Sequence, residues 1–191
     1  MIEKARVEDA LAAVLAGLIV GLPTDTVYGV GVDPFDPDAV ARLYELKGRP
    51  QHKPVGVLVA TGDQAGEIAE LGDFGRELAA KNWPGALTLV VKPTVVMADW
   101  VGDRQRRTIG LRVPAHPVAL ELLMLTGPLA VTSANESGGR ETMSHFEARD
   151  VFGDRVAVYL EGTAPGGEAS TVVDLTAGRP AVIRQGPVRL D

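Results

Sequence analysis

Residues 107–114 read RTIGLRVP, and their alternation decides which way a sheet must face. In a strand, successive side chains point to opposite faces. Ile109, Leu111 and Val113 then share one face, and Thr108, Gly110 and Arg112 share the other. The apolar face is the one a core would take. An arginine on a short, mostly buried strand needs a partner, and a carboxylate or phosphate fits its planar fork. The stretch therefore predicts a strand with a core on one side and a polar space on the other.

The neighbouring stretches supply more strands. LIVGLP (18–23), PVGVLVA (54–60) and ALTLVVK (86–92) are apolar runs of strand length. PLAVTSAN (128–135) is a strand entering a polar turn, and RVAVYL (155–160), STVVDLT (170–176) and PAVIRQG (180–186) are strands near the end of the chain. Helical spacing appears at 7–16, with Gly17 placed to end it. In DPFDPDAVARLYELKG, Asp36 suits the cap, Pro37 the first turn and Gly48 the exit. Short helices are expected around 64–70 and 74–82, an amphipathic helix at 116–125, and another capped by Ser144. Helices and strands alternate early, and strands crowd late. That order predicts an α/β fold, a single domain over residues 1–191 with a twisted mixed sheet and flanking helices.

The 191 residues suit one full-sized core. With a net charge of −6, any anion site must be a local basic patch against the overall field. The absence of cysteine removes disulfides, thiolate nucleophiles and cysteine-ligated zinc. MIEKARVEDALAAVLAG lacks the basic-then-apolar order of a signal peptide, and no apolar run reaches the ~18 residues of a membrane span. The expectation is a cytoplasmic protein without membrane contact. There is no P-loop, and GVGVDP does not complete a dinucleotide fingerprint. His52, His116 and His145 lie apart without metal-ligand spacing, so no protein metal site is predicted. Only 5% of residues are aromatic, too few for a single-strand stacking platform.

Four polar clusters lie at the ends of predicted strands: PTDTVYG, KGRPQHKP, TSANESGG and EAST. Ligands in open α/β sheets gather at such ends. The cations are Lys47, Arg49 and Lys53 in one cluster, Arg104, Arg106, Arg107 and Arg112 in a second, and Arg184 after the last strand. Arg104, Arg106 and Lys53 read equally as solvated surface charge. Two arginines and a lysine around one cavity would suit a polyphosphate. Thr24 and Thr26 offer hydroxyls, and Asp25 fits a structural cap; Ser133 and Asn135 offer two-sided hydrogen bonding. The glycine-rich EGTAPGGEAS (161–170) is the candidate lid.

The ordered set PTDTVYGVG, KGRP, RTIGLRVPAHP, TSANESG, STVVD and VIRQGP resembles the YrdC-like family, and within it the bacterial threonylcarbamoyl-AMP synthases. The likeness covers residues 10–189. The K-x-R…S-x-N signature of the active synthases stands here as Lys47, Arg49, Ser133 and Asn135. The resemblance implies a large basic concave cavity. It also implies condensation of L-threonine, bicarbonate or CO2, and ATP to threonylcarbamoyl-AMP and pyrophosphate, for the t6A37 modification of tRNA. Carried over by motif, Thr26, Arg112 and Ser170 would hold threonine. Lys47, Arg49, Lys53, Thr108, Ser133, Asn135 and Arg184 would surround ATP, with Lys47 and Arg49 catalytic. Mg2+ would arrive with ATP, downstream threonylcarbamoyl-transfer proteins would take the product, and tRNA contact would be weak. The rival reading is a YrdC-like module that binds RNA without synthase activity.

Overall fold

The computed structural model describes residues 6–48, 50, 53–95, 97 and 99–190. Helix α1 (Val7–Leu15) leads into the hairpin β1 (Val20–Pro23) and β2 (Tyr28–Val32). Helix α2 (Pro37–Lys47) starts where its sequence says: Asp36 accepts from the backbone N–H groups of Asp38 and Ala39, satisfying donors the first turn cannot. It ends at Gly48, whose left-handed φ of 57° costs glycine little. Then follow β3 (Gly56–Leu58), α3 (Gly62–Ile68), β4 (Ala69–Glu70), α4 (Gly72–Asn82), β5 (Leu87–Pro93), β6 (Ile109–Arg112), α5 (Pro117–Thr126) and β7 (Leu129–Ser133). The chain finishes with α6 (His145–Phe152), capped by Ser144, a 3-10 turn, β8 (Val158–Tyr159), β9 (Thr171–Asp174) and β10 (Ala181–Arg184).

The strands form one sheet in the order β10-β9-β5-β6-β3-β7-β2-β1-β8, with β4 paired to β5. Pairs β1/β8, β3/β6 and β5/β9 are parallel, while β1/β2, β2/β7, β3/β7, β5/β6 and β9/β10 are antiparallel. The expected mixed α/β sheet with flanking helices is the observed architecture.

Strand β2 carries no strand signal in the sequence, since its YGVGV spans the end of a polar cluster and an incomplete glycine motif. It is a fully buried strand against β7. Glycine is required at 29 and 31 because a Cβ at either would sit 2.8 Å from a Val131 methyl. Tyr28 is buried, and its hydroxyl donates to Leu160 O at 2.7 Å, tying β2 to the end of β8.

Alternation along the strands separates two cores. Val30, Val57, Leu89, Leu111 and Ala130 belong to the larger one, with side chains from α2, α3, α4 and α6. Leu22, Leu58 and Leu129 belong to the smaller one, with Ala10, Ala13 and Val14 of α1 and Ala119, Leu122 and Leu123 of α5. Helices α1 and α5 pack together and lie against β1, and α1 also touches β8. They cover only part of their face. The remaining strands on that side leave a basin, and the site lies in it.

Candidate active site

The basin encloses a cavity of about 520 Å³. Its floor is made of the alternate residues that face away from the larger core: Gly29, Gly56, Leu58, Thr88, Val90, Gly110, Arg112 and Val172. Gly56 and Gly110 contribute no side chain, which deepens it. The alternation predicted from RTIGLRVP is observed: Ile109, Leu111 and Val113 are buried in the larger core, and Thr108, Gly110 and Arg112 line the cavity, whose edge Ile109 also meets.

Arg112 is the centre of one wall. Its Nε donates to Gly85 O at 2.9 Å, Nη1 to Thr26 Oγ1 at 3.0 Å and Nη2 to Asp25 Oδ1 at 2.6 Å. Only 8% of the residue is exposed, so it needs this satisfaction. The guanidinium has five N–H donors, so one remains on each terminal nitrogen, the pair a carboxylate or phosphate takes. Burial works against its charge, Asp25 supports it and nearby Arg184 opposes it, leaving its pKa below the usual arginine value. Asp25 is thus a counter-ion rather than a plain cap, and it also accepts from Ala115 N at 2.9 Å. Thr24 fixes the same turn by donating to Val27 O at 2.7 Å and accepting from Thr26 N.

Ser170 and Arg184 form the next wall. Arg184 Nε donates to Ser170 O and Nη2 to Ser170 Oγ, both at 3.0 Å. Thr88 Oγ1 lies 2.8 Å from Ser170 Oγ. Thr171 Oγ1 accepts from Gly186 N and Val188 N, so the segment after β10 clamps this wall from behind. Ser170 ends the 161–170 loop, which joins the body through Ala164 N to Met143 O at 2.7 Å.

Across the floor, Ser133 lines the cavity at the end of β7. Its hydroxyl donates to Asn135 Oδ1 at 2.6 Å, and Asn135 Nδ2 donates to Glu136 O and Gly139 O. Lys47, at the last turn of α2 and 2% exposed, sends Nζ to Ser133 O at 2.5 Å, to Asn135 O, and to Asn135 Oδ1 at 3.0 Å. Lys47, Lys53 and Asn135 are not among the described residues lining the cavity. Lys47 and Asn135 stand behind Ser133 as its scaffold. Arg49 and His52 lie outside the described residues. Thr26, Thr108, Arg112, Ser133, Ser170 and Arg184 are the predicted site residues that do meet around one space.

The outer arginines have structural duties. Arg106 reaches Asp174 at 2.5 Å and Thr176 at 3.0 Å, and Arg107 reaches Asp99 at 2.9 Å. Among the described residues, no group of three or more His, Asp or Glu side chains could hold a metal, and no helix is long and apolar enough to cross a membrane. Two contributors went unread in the sequence: Asp25 as the partner of Arg112, and Glu141, which lines the cavity. Asp25 had a signal, since Arg112 demanded an acid. Glu141 had none.

Residues 12–186 match the Sua5/YciO/YrdC profile, described as "Telomere recombination". A Mycobacterium tuberculosis protein named "Putative threonylcarbamoyl-AMP synthase" is 48% identical over 94% of this chain and 83% of its own length. The Pyrococcus abyssi threonylcarbamoyl-AMP synthase is 37% identical over the whole chain, which spans 56% of that protein. The crystal structure of P. abyssi Sua5 complexed with L-threonine superposes with a TM-score of 0.88 at 34% identity, over 93% of this chain and 53% of that one. Escherichia coli YciO gives a TM-score of 0.85 at 28% identity, over 94% and 88%. Fold, motif order and a profile match over most of the chain agree: it belongs to the Sua5/YciO/YrdC family.

Proposed function

We infer that the chain is a threonylcarbamoyl-AMP synthase, a nucleotidyltransferase acting in the cytoplasm to supply tRNA t6A37 modification. The observation that carries this is the convergence of Arg112, Thr26, Ser170, Arg184 and Ser133 on one cavity, in a chain whose relatives bear that name.

The substrates are ATP, brought with Mg2+, together with L-threonine and bicarbonate or CO2. Arg112 takes the threonine carboxylate on its two remaining N–H groups, with Thr26 and Ser170 beside it. Threonine's amine adds to CO2 and loses a proton, giving a carbamate. A carbamate oxygen then attacks the α-phosphorus, and the bond to the β-phosphate oxygen breaks to release pyrophosphate. The carbamate and ATP are both anionic, so their repulsion is a barrier that the protein can lower. Arg184 and Arg49 offset charge on the phosphates, and Thr108 and Ser133 orient them. Lys47 and Asn135 act through the turn that presents Ser133. Little covalent work is left to side chains, so positioning supplies much of the rate.

Pyrophosphate release measured with purified protein and MgATP tests this. Release requires threonine and bicarbonate together. Equal release when either is left out refutes the synthase reading.

A further inference from the structure

Resting on that reading, we propose that Thr88 is a positioning residue of the threonine end: its hydroxyl holds Ser170 in the direction from which a hydroxyl proton meets the substrate carboxylate. Thr88 is the second residue of β5 and lines the cavity. The pairs Leu89–Leu111 and Val90–Gly110 join β5 to β6, and the same register carried one residue further sets Thr88 opposite Arg112. The contacts agree. A Cβ on Gly110 would meet the Thr88 methyl at 3.1 Å, and Arg112 Nε donates to Gly85 O just before β5. On its other side β5 pairs with β9, where Thr88 stands beside Val172, two residues on from Ser170. Thr88 thus lies between the strand of Arg112 and the strand that Ser170 leads into.

The available protons fix what the contact does. Thr88 Oγ1 and Ser170 Oγ are 2.8 Å apart, a hydrogen bond that takes one of the two hydroxyl protons. Arg184 Nη2 also donates to Ser170 Oγ, at 3.0 Å. A hydroxyl has one donor and two acceptor sites. When Thr88 donates, both acceptor sites of Ser170 are used, and its own proton is left for the cavity. An anionic oxygen on Arg112 selects that arrangement. Donation from the guanidinium makes the Ser170 proton a better donor, because linked hydrogen bonds polarise one another. The backbone is held without Thr88: Arg184 Nε donates to Ser170 O, and Thr171 N donates to Ala86 O at 2.9 Å. Among the described residues the Thr88 hydroxyl has no other hydrogen-bond partner. Its contribution is therefore the direction of Ser170, and the fold of the wall does not depend on it.

Calorimetric titration of L-threonine and of MgATP into wild type, Thr88→Val and Thr88→Ser tests this, with Ser170→Ala completing a double-mutant cycle. Thr88→Val keeps the shape and loses the hydroxyl, so L-threonine binds about fivefold more weakly while MgATP binds as before. Thr88→Ser keeps the hydroxyl and stays within about twofold of wild type. In the Ser170→Ala background, Thr88→Val has no further effect. Unchanged threonine affinity in Thr88→Val overturns the proposal, and so does a matching loss of MgATP. An equal loss in Thr88→Ser overturns it by making the methyl against Gly110 the part that matters. A full additional loss on top of Ser170→Ala overturns it by placing Thr88 on the substrate directly. A Thr88→Val protein that unfolds in urea well before wild type overturns it as well, since the hydroxyl would then be holding the wall. If wild type binds no L-threonine, the synthase reading falls and this assignment falls with it.

Discussion

Arg112 and Lys47 are both buried cations near one cavity, and the structure uses them in opposite ways. Arg112 has a carboxylate beside it, its three fixing contacts leave one N–H on each terminal nitrogen, and the residue lines the cavity. At Lys47, three oxygens of the single turn 133–135 converge on Nζ. The chemistry of the groups explains the division. A guanidinium has a rigid fork with donors to spare, so it can be held and still bind. An ammonium has three donors on one atom, and three acceptors from one loop consume them. Charge close to a site is therefore not the same as charge presented to it.

The largest expected effect tests this division from the Lys47 side. Lys47→Ala removes the group that gathers the 133–135 turn and leaves buried oxygens without a donor. Losing such a network costs about 3 kcal/mol of stability. Pyrophosphate release falls to background because Ser133 is no longer presented. Urea denaturation beside the activity assay reads both. A variant that keeps its full stability and loses only ATP affinity would break the comparison, since Lys47 would then act directly on the nucleotide.

Arg112→Lys probes the other member. Lysine keeps the charge against Asp25 but cannot reproduce the fork, so the threonine KM rises about thirtyfold while the ATP KM stays within error. Stability falls by about 1 kcal/mol, less than at Lys47, because fewer buried groups lose their partner. Equal damage to both substrates would show that Arg112 shapes the cavity as a whole instead of holding one ligand.

What the sequence disclosed follows the range of the forces involved. Helix α2 was readable because its signals are local: Asp36 caps, Pro37 starts and Gly48 stops within one stretch. Strand β6 was readable because alternation is local too, and it located Arg112 on the cavity side. Strand β2 was hidden because the reason for Gly29 and Gly31 is Val131, a hundred residues onward. The same limit applies to the site. The need of Arg112 for an acid could be stated, but Asp25 lies 87 residues away, and nothing adjacent to either residue pairs them. The hydrogen bonds of Lys47 were hidden for a related reason. A basic cluster looks like a phosphate site in one dimension, and only the turn packed beneath α2 reveals that its first member is occupied.

The smallest effect concerns the rim of the Arg112 side. His116 precedes α5, next to Ala115, whose N–H also goes to Asp25. Its Nδ1 is buried without a hydrogen-bond partner. Burial lowers its pKa below the ordinary 6.5, outweighing the opposing pull of Asp25 and of a backbone bond at Thr163. Below the ordinary value the unfolded chain therefore takes up a proton more readily than the folded one. By linkage, the stability this residue contributes is present above that pH and is lost as pH falls through the lowered folded value. His116→Gln cannot titrate, so its stability declines less than that of wild type between about pH 7.5 and about pH 5.5. Denaturation curves at the two pH values measure the difference, and every other titrating group cancels between the proteins. Parallel losses would mean that His116 is solvated in the folded state. A steeper loss in the variant would mean that Asp25 prevails and holds His116 as a cation, in competition with Arg112 for the same carboxylate.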